Sequence, residues 1–399
     1  MLSEKSAATV RATLPAVGGA LPAITERFYA RLFAAHPELL RDLFNRGNQA
    51  AGVQRQALAG SIAAFAVHLL DRPDERPDVM LGRIAHKHAS LGITAEQYDV
   101  VHEHLFAAIV EVLGEAVTPE VAAAWDEVYW LMANALIAIE ARLYAAQGVA
   151  AGDVWREWTV EGRTEETPDV ATFRLRPTDG APAPGFRPGQ YVSVQVELPD
   201  GARQIRQYSL SAAPGSATRS ITVKRVRGEG RAPDGEVSHH LHARVEVGDR
   251  LRVSAPYGDL VLDDSGAPLL LASAGIGCTP MLAMLEHLAG AGHRAPVTVV
   301  HGDRSPADHA LREDHEALTA KLPDAAAHFW YEHPAPGHPA DRTGLVDLSS
   351  VAVASGTRAY LCGPLPFMRA VRTQLLAQGV AAADIHYEVF GPDLWLAHD

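Results

Sequence analysis

The spacing of apolar residues changes once along this chain, and the change divides it. From Met1 to about Gln147, Ala, Leu and Val recur every three or four positions, the period of a helix with one buried face. Gly and Pro cluster at breaks such as Arg72-Pro73-Asp74 and Arg76-Pro77. Roughly six to eight helices in one all-α domain are therefore expected. Near Gly148–Val154 the helical stripes end. Val170–Arg176, Tyr191–Leu198, Arg206–Leu210, Ser220–Val226 and Leu251–Ala255 alternate instead, separated by turns such as Pro199-Asp200-Gly201 and Val247-Gly248-Asp249. Short antiparallel strands at that spacing predict a barrel. Farther on, strands at Leu269–Leu271, Val297–Val300, His328–Tyr331, Ala359–Leu361 and His386–Phe390 alternate with helices, as a parallel sheet requires. The expected order is an all-α domain (1–147), a linker (148–155), an antiparallel β-barrel (156–264) and an α/β parallel-sheet domain (265–399).

Composition narrows the partners. With 47% apolar and 21% charged residues over 399 positions, each part is able to bury a core. A formal net charge of −13 argues against nucleic acid and against an anionic membrane surface. Nineteen histidines are expected to lie mostly at the surface. Two cysteines so far apart, Cys278 and Cys362, give neither a disulfide framework nor a CxxC spacing, so a reducing, cytoplasmic location is expected. The start of the chain lacks a basic segment followed by an apolar core, so no signal peptide is expected. The apolar runs near Trp130–Ile139 and Leu269–Leu285 are too short, or too broken by Gly and Pro, to span a bilayer.

In the helical part, the polar residues on apolar stripes carry the information. Leu81, Ile84 and His88 share one helix face, so His88 faces inward and His86 away. His88 reads either as a core histidine bonded to a carbonyl or as an axial ligand to haem iron. Gln54 opens the stripe Leu58, Ile62, Phe65, Leu69, far enough before His88 for two helices to face each other across a flat cofactor. Tyr29 lies in the apolar stretch Ile24–Phe33, and Phe44 follows in Arg41-Asp42-Leu43-Phe44-Asn45. Glu140, between Leu136 and Leu143, is either a helix-surface acid or a buried carboxylate that needs a partner. Tyr98 begins the stripe Val101, Leu105, Ile109, Val112 and reads on its own as a core tyrosine.

The other two parts carry longer motifs. Arg206-Gln207-Tyr208-Ser209 lies mid-strand, with Arg206 and Tyr208 on one face and Ser209 on the other. A guanidinium there can clamp a phosphate, and a tyrosine ring can lie on a flat heterocycle. Pro188-Gly189-Gln190-Tyr191 opens another strand, and Gly235-Glu236-Val237-Ser238 reads as a turn opening a short helix. Gly275-Ile276-Gly277-Cys278-Thr279-Pro280 joins a strand to the helix Met281–Leu288, with Thr279 expected as its cap. It is not the Rossmann fingerprint, because Pro280 stands where the third Gly would be. Cys362-Gly363-Pro364 follows a strand end, where open α/β sheets bind ligands.

Taken together, these motifs resemble the signature of ferredoxin-reductase-like flavoproteins, preceded by a globin. Over essentially its whole length the chain resembles a flavohemoglobin. The resemblance implies haem b, FAD and NADH or NADPH as cofactors, and O2 and NO as substrates of a nitric oxide dioxygenase that forms nitrate. It implies His88 as iron ligand, with Tyr98 and Glu140 as a relay behind it. Tyr29 and Gln54 contact bound oxygen, Leu58 crowds it, Phe44 packs on the porphyrin, and Lys87 tunes haem potential. For FAD it implies Arg206 on the pyrophosphate, Gln207 within the binding run, Tyr208 on the flavin ring and Ser209 at its N5 edge. Tyr191 falls on the adenine side, and Gly235, Val237 and Ser238 help hold phosphate. Glu388, Val389, Phe390, Gly391 and Pro392 form a C-terminal segment whose Phe covers the flavin, with Glu388 near the gap to the haem. Gly275, Ile276, Gly277, Cys278, Thr279 and Pro280, with Cys362, Gly363 and Pro364, make the nicotinamide site. A monomer is expected. Three features depart from the pattern: a longer, Gly-rich loop at Arg227–Asp234, Cys278 where Gln is common, and Val389 where Cys is common. Arg304 suits a 2′-phosphate and Asp303 a free ribose hydroxyl, which leaves the nucleotide preference open. Two other functions remain open: an oxygen- or NO-binding sensor with a maintenance reductase, and a general flavin reductase.

Overall fold

The computed structural model describes residues 1–228, 233–334 and 342–391. The helical part contains α1 (Glu4–Ala35), α2 (Pro37–Asp42), α3 (Arg46–Ala50), α4 (Val53–Asp71), α5 (Asp78–Leu91), α6 (Ala95–Leu113) and α7 (Pro119–Gln147). The boundaries follow local chemistry. Thr94 and Gln97 form a capping box at the start of α6, Pro119 occupies the first turn of α7, and Gly92 and Gly148 end α5 and α7 in the left-handed conformation. One apolar core joins α1, α4, α5, α6 and α7.

The middle part is a six-stranded antiparallel sheet. Its strands are β1 (Trp155–Thr167), β2 (Val170–Pro177), β3 (Tyr191–Glu197), β4 (Arg203–Ser209), β5 (Arg219–Lys224) and β6 (Arg250–Ser254), in the order β4-β3-β6-β1-β2-β5. A Leu210–Ile221 bridge joins the two outer strands and draws the sheet toward a barrel. The helix α8 (Glu236–Arg244) caps it, with Val237 and Leu241 in the barrel core. The longest strand, β1, was not among the expected ones. Only Trp158 and Val160 of β1 are fully buried, and register shifts at Val160/Gly162 and Glu165/Thr167 break its alternation.

The last part is a parallel sheet in the order β10-β9-β8-β7-β11-β12. It comprises β7 (Leu269–Ala274), α9 (Cys278–Ala291), β8 (Val297–Asp303), α10 (Arg312–Thr319), β9 (Ala325–Tyr331), β10 (Arg342–Thr343), β11 (Arg358–Cys362), α11 (Leu365–Ala377) and β12 (Ile385–Glu388). Its last strand ends at Glu388, short of the Phe390 expected from alternation. Among the described residues, no helix is long and apolar enough to cross a membrane.

Histidines are less superficial than expected: His301, His309 and His315 are buried together here. His301 Nδ1 meets Ser273 Oγ at 2.8 Å, and the His301 and His309 rings stack at 3.9 Å. His309 bonds the Tyr331 hydroxyl at 2.8 Å and His315 Nδ1 at 3.0 Å. Burial, reinforced by the neighbouring imidazoles, holds His309 and His315 well below the ordinary histidine pKa. The unfolded chain takes up protons at these sites below about pH 6.5, and the folded domain does not. Stability is therefore insensitive to them above that pH and falls below it, by up to about 1.4 kcal/mol per pH unit for each histidine. Urea midpoints measured from pH 8 to pH 5 are expected to drop below pH 6.5, and His315→Gln is expected to flatten that slope.

Candidate active site

The helix α5 turns Leu81, Ala85 and Ala89 fully into the core, and His88 stands beside that row, partly buried. His88 Nδ1 lies 2.9 Å from Glu140 Oε1 and 2.9 Å from the Tyr98 hydroxyl. That hydroxyl donates to Glu140 Oε1 at 2.6 Å. Burial first, and then the Glu140 charge, hold the Tyr98 pKa far above its ordinary value, so the phenol keeps its proton. Glu140 is 2% exposed, which rules out the surface-acid reading. It can accept from both neighbours, and an Nδ1–H that donates to it leaves the His88 Nε2 lone pair for a metal. The core-carbonyl reading of His88 is likewise excluded. His86 does point elsewhere: its Nδ1 accepts from Gly258 N–H of the barrel at 3.0 Å.

Across from His88, Tyr29 is buried on α1, its ring 5.8 Å from Phe44 and 5.5 Å from Phe33. Burial raises its hydroxyl pKa, offset in part by the nearby amides of Gln54 and Gln49. Gln49, on α3, was missed from sequence because a five-residue helix shows no period. The apolar side chains that α4 and α5 carry suit a flat apolar group in their chemistry. The helix α5 packs along α7 and β3, with little contact to α4. Phe44, Leu58, Ile62, Met80 and Ile84 border this region only partly buried. In a protein core such apolar side chains would normally be covered.

In the barrel, Arg206 is half-buried and, among the described residues, pairs with no carboxylate. Its Nη1 donates to Ile205 O at 2.7 Å, and desolvation lowers its pKa. A partly desolvated cation without a counter-charge fits a pyrophosphate. Tyr208 shares its face. Ser209 Oγ is buried with no hydrogen-bond partner, an orphaned group that suits a flavin edge. Gln207 points the other way and donates to Ser193 Oγ at 3.1 Å. Gly235 caps α8, and the first amides of that helix face no partner within it. The Ser238 hydroxyl is already committed, accepting from Val226 N and donating to Gly235 O, so only its backbone is available to a phosphate. Val237 serves through its backbone too, since its side chain fills the barrel core. Tyr191 pairs with Ser209, at the opposite end of β4 from Gln204, and packs with Ala89, Tyr144 and Tyr257 in the seam between barrel and helices.

The strand β7 runs through Gly275–Gly277 into α9, which begins at Cys278 and not at Met281. Gly277 is the cap. Thr279 is inside the first turn, its hydroxyl donating to Ile276 O at 3.1 Å, and Pro280 fits that turn. Cys362 ends β11 beside it, followed by Gly363 and Pro364, the latter at the start of α11. Burial pushes the Cys278 thiol up to about 12 and the Cys362 thiol well above its usual range, so neither is a nucleophile at neutral pH. Asp303 lies against His301, and Arg304 pairs with Asp308. Glu388 is buried, and Val389 packs against the sheet core, while Phe390 is 47% exposed. Pro392 lies outside the described residues. This C-terminal segment reaches α5 directly. The Arg83 guanidinium lies 4.0 Å over the Tyr387 ring, and Lys87 Nζ donates to Gly391 O at 2.8 Å, one residue from His88.

Comparison with known proteins agrees with this three-part layout. The globin family matches residues 26–136, the oxidoreductase FAD-binding domain residues 157–262, and the oxidoreductase NAD-binding domain residues 271–373. A flavohemoprotein from Rhizobium meliloti is 42% identical over 99% of this chain and 100% of its own. The crystal structure of a flavohemoglobin from Malassezia yamatoensis, with FAD and heme bound, superposes with a TM-score of 0.88 at 37% identity, covering 98% of this chain and 100% of that one. The FAD/NAD-binding domain of a nitric oxide dioxygenase from Vibrio cholerae matches 59% of this chain and 99% of its own at 37% identity, with a TM-score of 0.56.

Proposed function

Because this chain belongs to the flavohemoprotein family, we propose that it is an oxidoreductase of the nitric oxide dioxygenase type, using NAD(P)H and O2 to convert NO to nitrate. The observation that carries the reading is the buried Glu140, bonded to His88 and Tyr98, in a globin joined to a flavin- and nucleotide-binding pair of domains. A reversible oxygen carrier has no need of a buried carboxylate behind its ligand, whereas oxygen activation gains from a strongly donating imidazole.

The residues divide the work. His88 Nε2 would hold the iron of haem b, and Glu140 would accept the Nδ1 proton and keep the ring oriented. Tyr98 holds its own proton and fixes the carboxylate. Phe44 would lie against the macrocycle and Leu58 would narrow the ligand space. The Tyr29 hydroxyl, kept protonated by burial and close to the Gln54 amide, would donate to a bound ligand. Arg206 and the amides at the start of α8 would bind the FAD phosphates, Tyr208 its ring and Ser209 its edge, with Tyr191 at the side nearer the globin. The backbone of Gly275–Pro280 and the turn Cys362–Pro364 would bind the nucleotide. Glu388 to Gly391 would cover the flavin, and Lys87 ties that segment to the helix of the iron ligand. When bound, the nicotinamide, FAD and haem supply a pair of electrons, its division into single electrons, and oxygen reduction at iron. The reading extends to a monomer in the cytoplasm, in keeping with two free, buried thiols.

Nitric oxide decay followed at an electrode, with NADH and with or without O2, tests the reading. Fast decay only with O2, yielding nitrate, is expected. Equally slow decay in both atmospheres, from protein loaded with haem and FAD, would overturn it.

A further inference from the structure

Gln204 lies two residues before Arg206 on the same face of β4, and its side chain is fully buried against the helical domain. Its Nε2 donates toward three backbone carbonyls of one short segment: Leu40 O at 3.3 Å, Arg41 O at 3.0 Å and Phe44 O at 3.1 Å. Its Oε1 accepts from Arg46 N–H of the same segment and from Arg206 Nη1, both at 3.3 Å. One amide thus joins the expected phosphate clamp to the backbone of Phe44. Two further ties run in parallel. Arg46 bonds Asp200 at 2.6 Å and Glu236, the first residue of α8, at 2.7 Å. Asp42 accepts from Arg203 N–H and from its guanidinium, each at 3.0 Å.

These ties add to the packing of Leu39 and Phe44 on the helical core. Neither α2 nor α3 contributes a buried residue to the helical core. Helices of six and five residues have no stability of their own in water. The segment's position is therefore shared between the helical core and the polar ties from the barrel. It carries Phe44, whose ring lies against Tyr29 and Phe33, and leads into Gln49, whose amide is near the Tyr29 hydroxyl and whose Nε2 is buried without a hydrogen-bond partner. We infer that Gln204 is a positioning residue through which the flavin barrel sets the distal side of the haem pocket, coupling the Arg206 phosphate clamp to Phe44 and Gln49. The inference rests on the haem and FAD sites proposed above. Arg206 has one guanidinium for two uses. When it turns to an anion, its bond to Gln204 loosens, and the amide that holds Phe44 is redistributed between Arg46 and the carbonyls.

The test reads ligand binding and not turnover. Gln204→Glu keeps the size and the acceptor but loses both donors, and Gln204→Leu loses everything. Arg46→Ala removes a parallel tie at a partly exposed site and decides the matter if the buried variants do not fold. In purified, fully loaded protein, the carbon monoxide association rate after flash photolysis and the CO stretching band are measured on the ferrous haem, with haem and FAD content determined alongside. Expected are stoichiometric haem and FAD, a shifted CO band, and a CO rate changed by roughly threefold or more in the Gln204 variants. Arg46→Ala should move both in the same direction by less. Wild-type rate and band in every folded variant would overturn the coupling. Failure of the wild-type protein itself to bind haem would instead overturn the site reading on which the coupling stands.

Discussion

Replacing His88 with alanine is expected to give a protein that carries FAD and no haem. His88 Nδ1 is bonded to the buried carboxylate and the phenol, which leaves Nε2 available to bind a metal. Alanine supplies nothing there, and among the described residues no cluster of three or more His, Cys, Asp or Glu side chains forms an alternative metal site. The Soret band should be absent from the purified variant while flavin absorbance remains. Nitric oxide decay should fall by more than about 100-fold, beyond what loss of an outer partner of a ligand produces. Removal also leaves Glu140 with Tyr98 as its remaining donor in this triad, which should destabilise the helical domain by about 1–3 kcal/mol. Reduction of ferricyanide by NADH should persist, since β1–β12 and their helices do not depend on the imidazole. A haem-replete His88→Ala protein would remove His88 from the ligand position. Loss of ferricyanide reduction along with haem would show that the two halves do not fold separately.

Gly277→Ala should do comparable damage at the other end of the molecule. A Cβ at Gly277 would sit 2.2 Å from Cys362 O and 2.5 Å from the Cys362 carbonyl carbon, with Gly363 N at 2.9 Å. These are backbone atoms of β11 and its turn, so relief requires the start of α9 to part from the end of β11. Overpacking of this kind costs about 1–3 kcal/mol and moves the two walls of the nucleotide site relative to each other. NADH-driven ferricyanide reduction is expected to fall about tenfold or more in kcat/KM, because displacing binding groups by an ångström is enough to do so. Haem and FAD content and CO binding should be unchanged. A variant with wild-type KM for NADH would show that β11 yields without disturbing the site. Gly275 serves a different need: its φ is +52°, and the nearest atom to an added Cβ is Lys224 Nζ at 3.8 Å. One glycine is there for its backbone conformation and the other for lack of space.

Such distinctions mark how far the sequence could be read. The change from a three-to-four-residue period to alternation divides the chain correctly into helical and sheet parts, because burial on one face imposes those periods locally. His88, Tyr98 and Glu140 were each noticeable as polar residues on apolar stripes, and the structure joins them within 2.9 Å. The run Arg206–Ser209 was legible for the same reason, two side chains per face of one strand. β1 was not, because its bulges and charged residues hide the alternation. Nor were the buried histidines of the nucleotide domain, whose partners come from β7, β8, β9 and α10.

Neighbours along the chain suffice to set the type of each long element, the faces it buries and the short motifs at its turns, and these could be read from the sequence. Contacts between residues distant in the chain required the packed molecule. Thr279 and Ser238 spend their hydroxyls locally, Tyr191 lies at the seam with the helical domain, and Gln49 comes near Tyr29. Gln204, ordinary in a strand, holds a segment some 160 positions earlier. A hydrogen bond is decided within about 3 Å and a few tens of degrees, and no periodicity in the chain encodes a distance between two elements that pack by their separate cores.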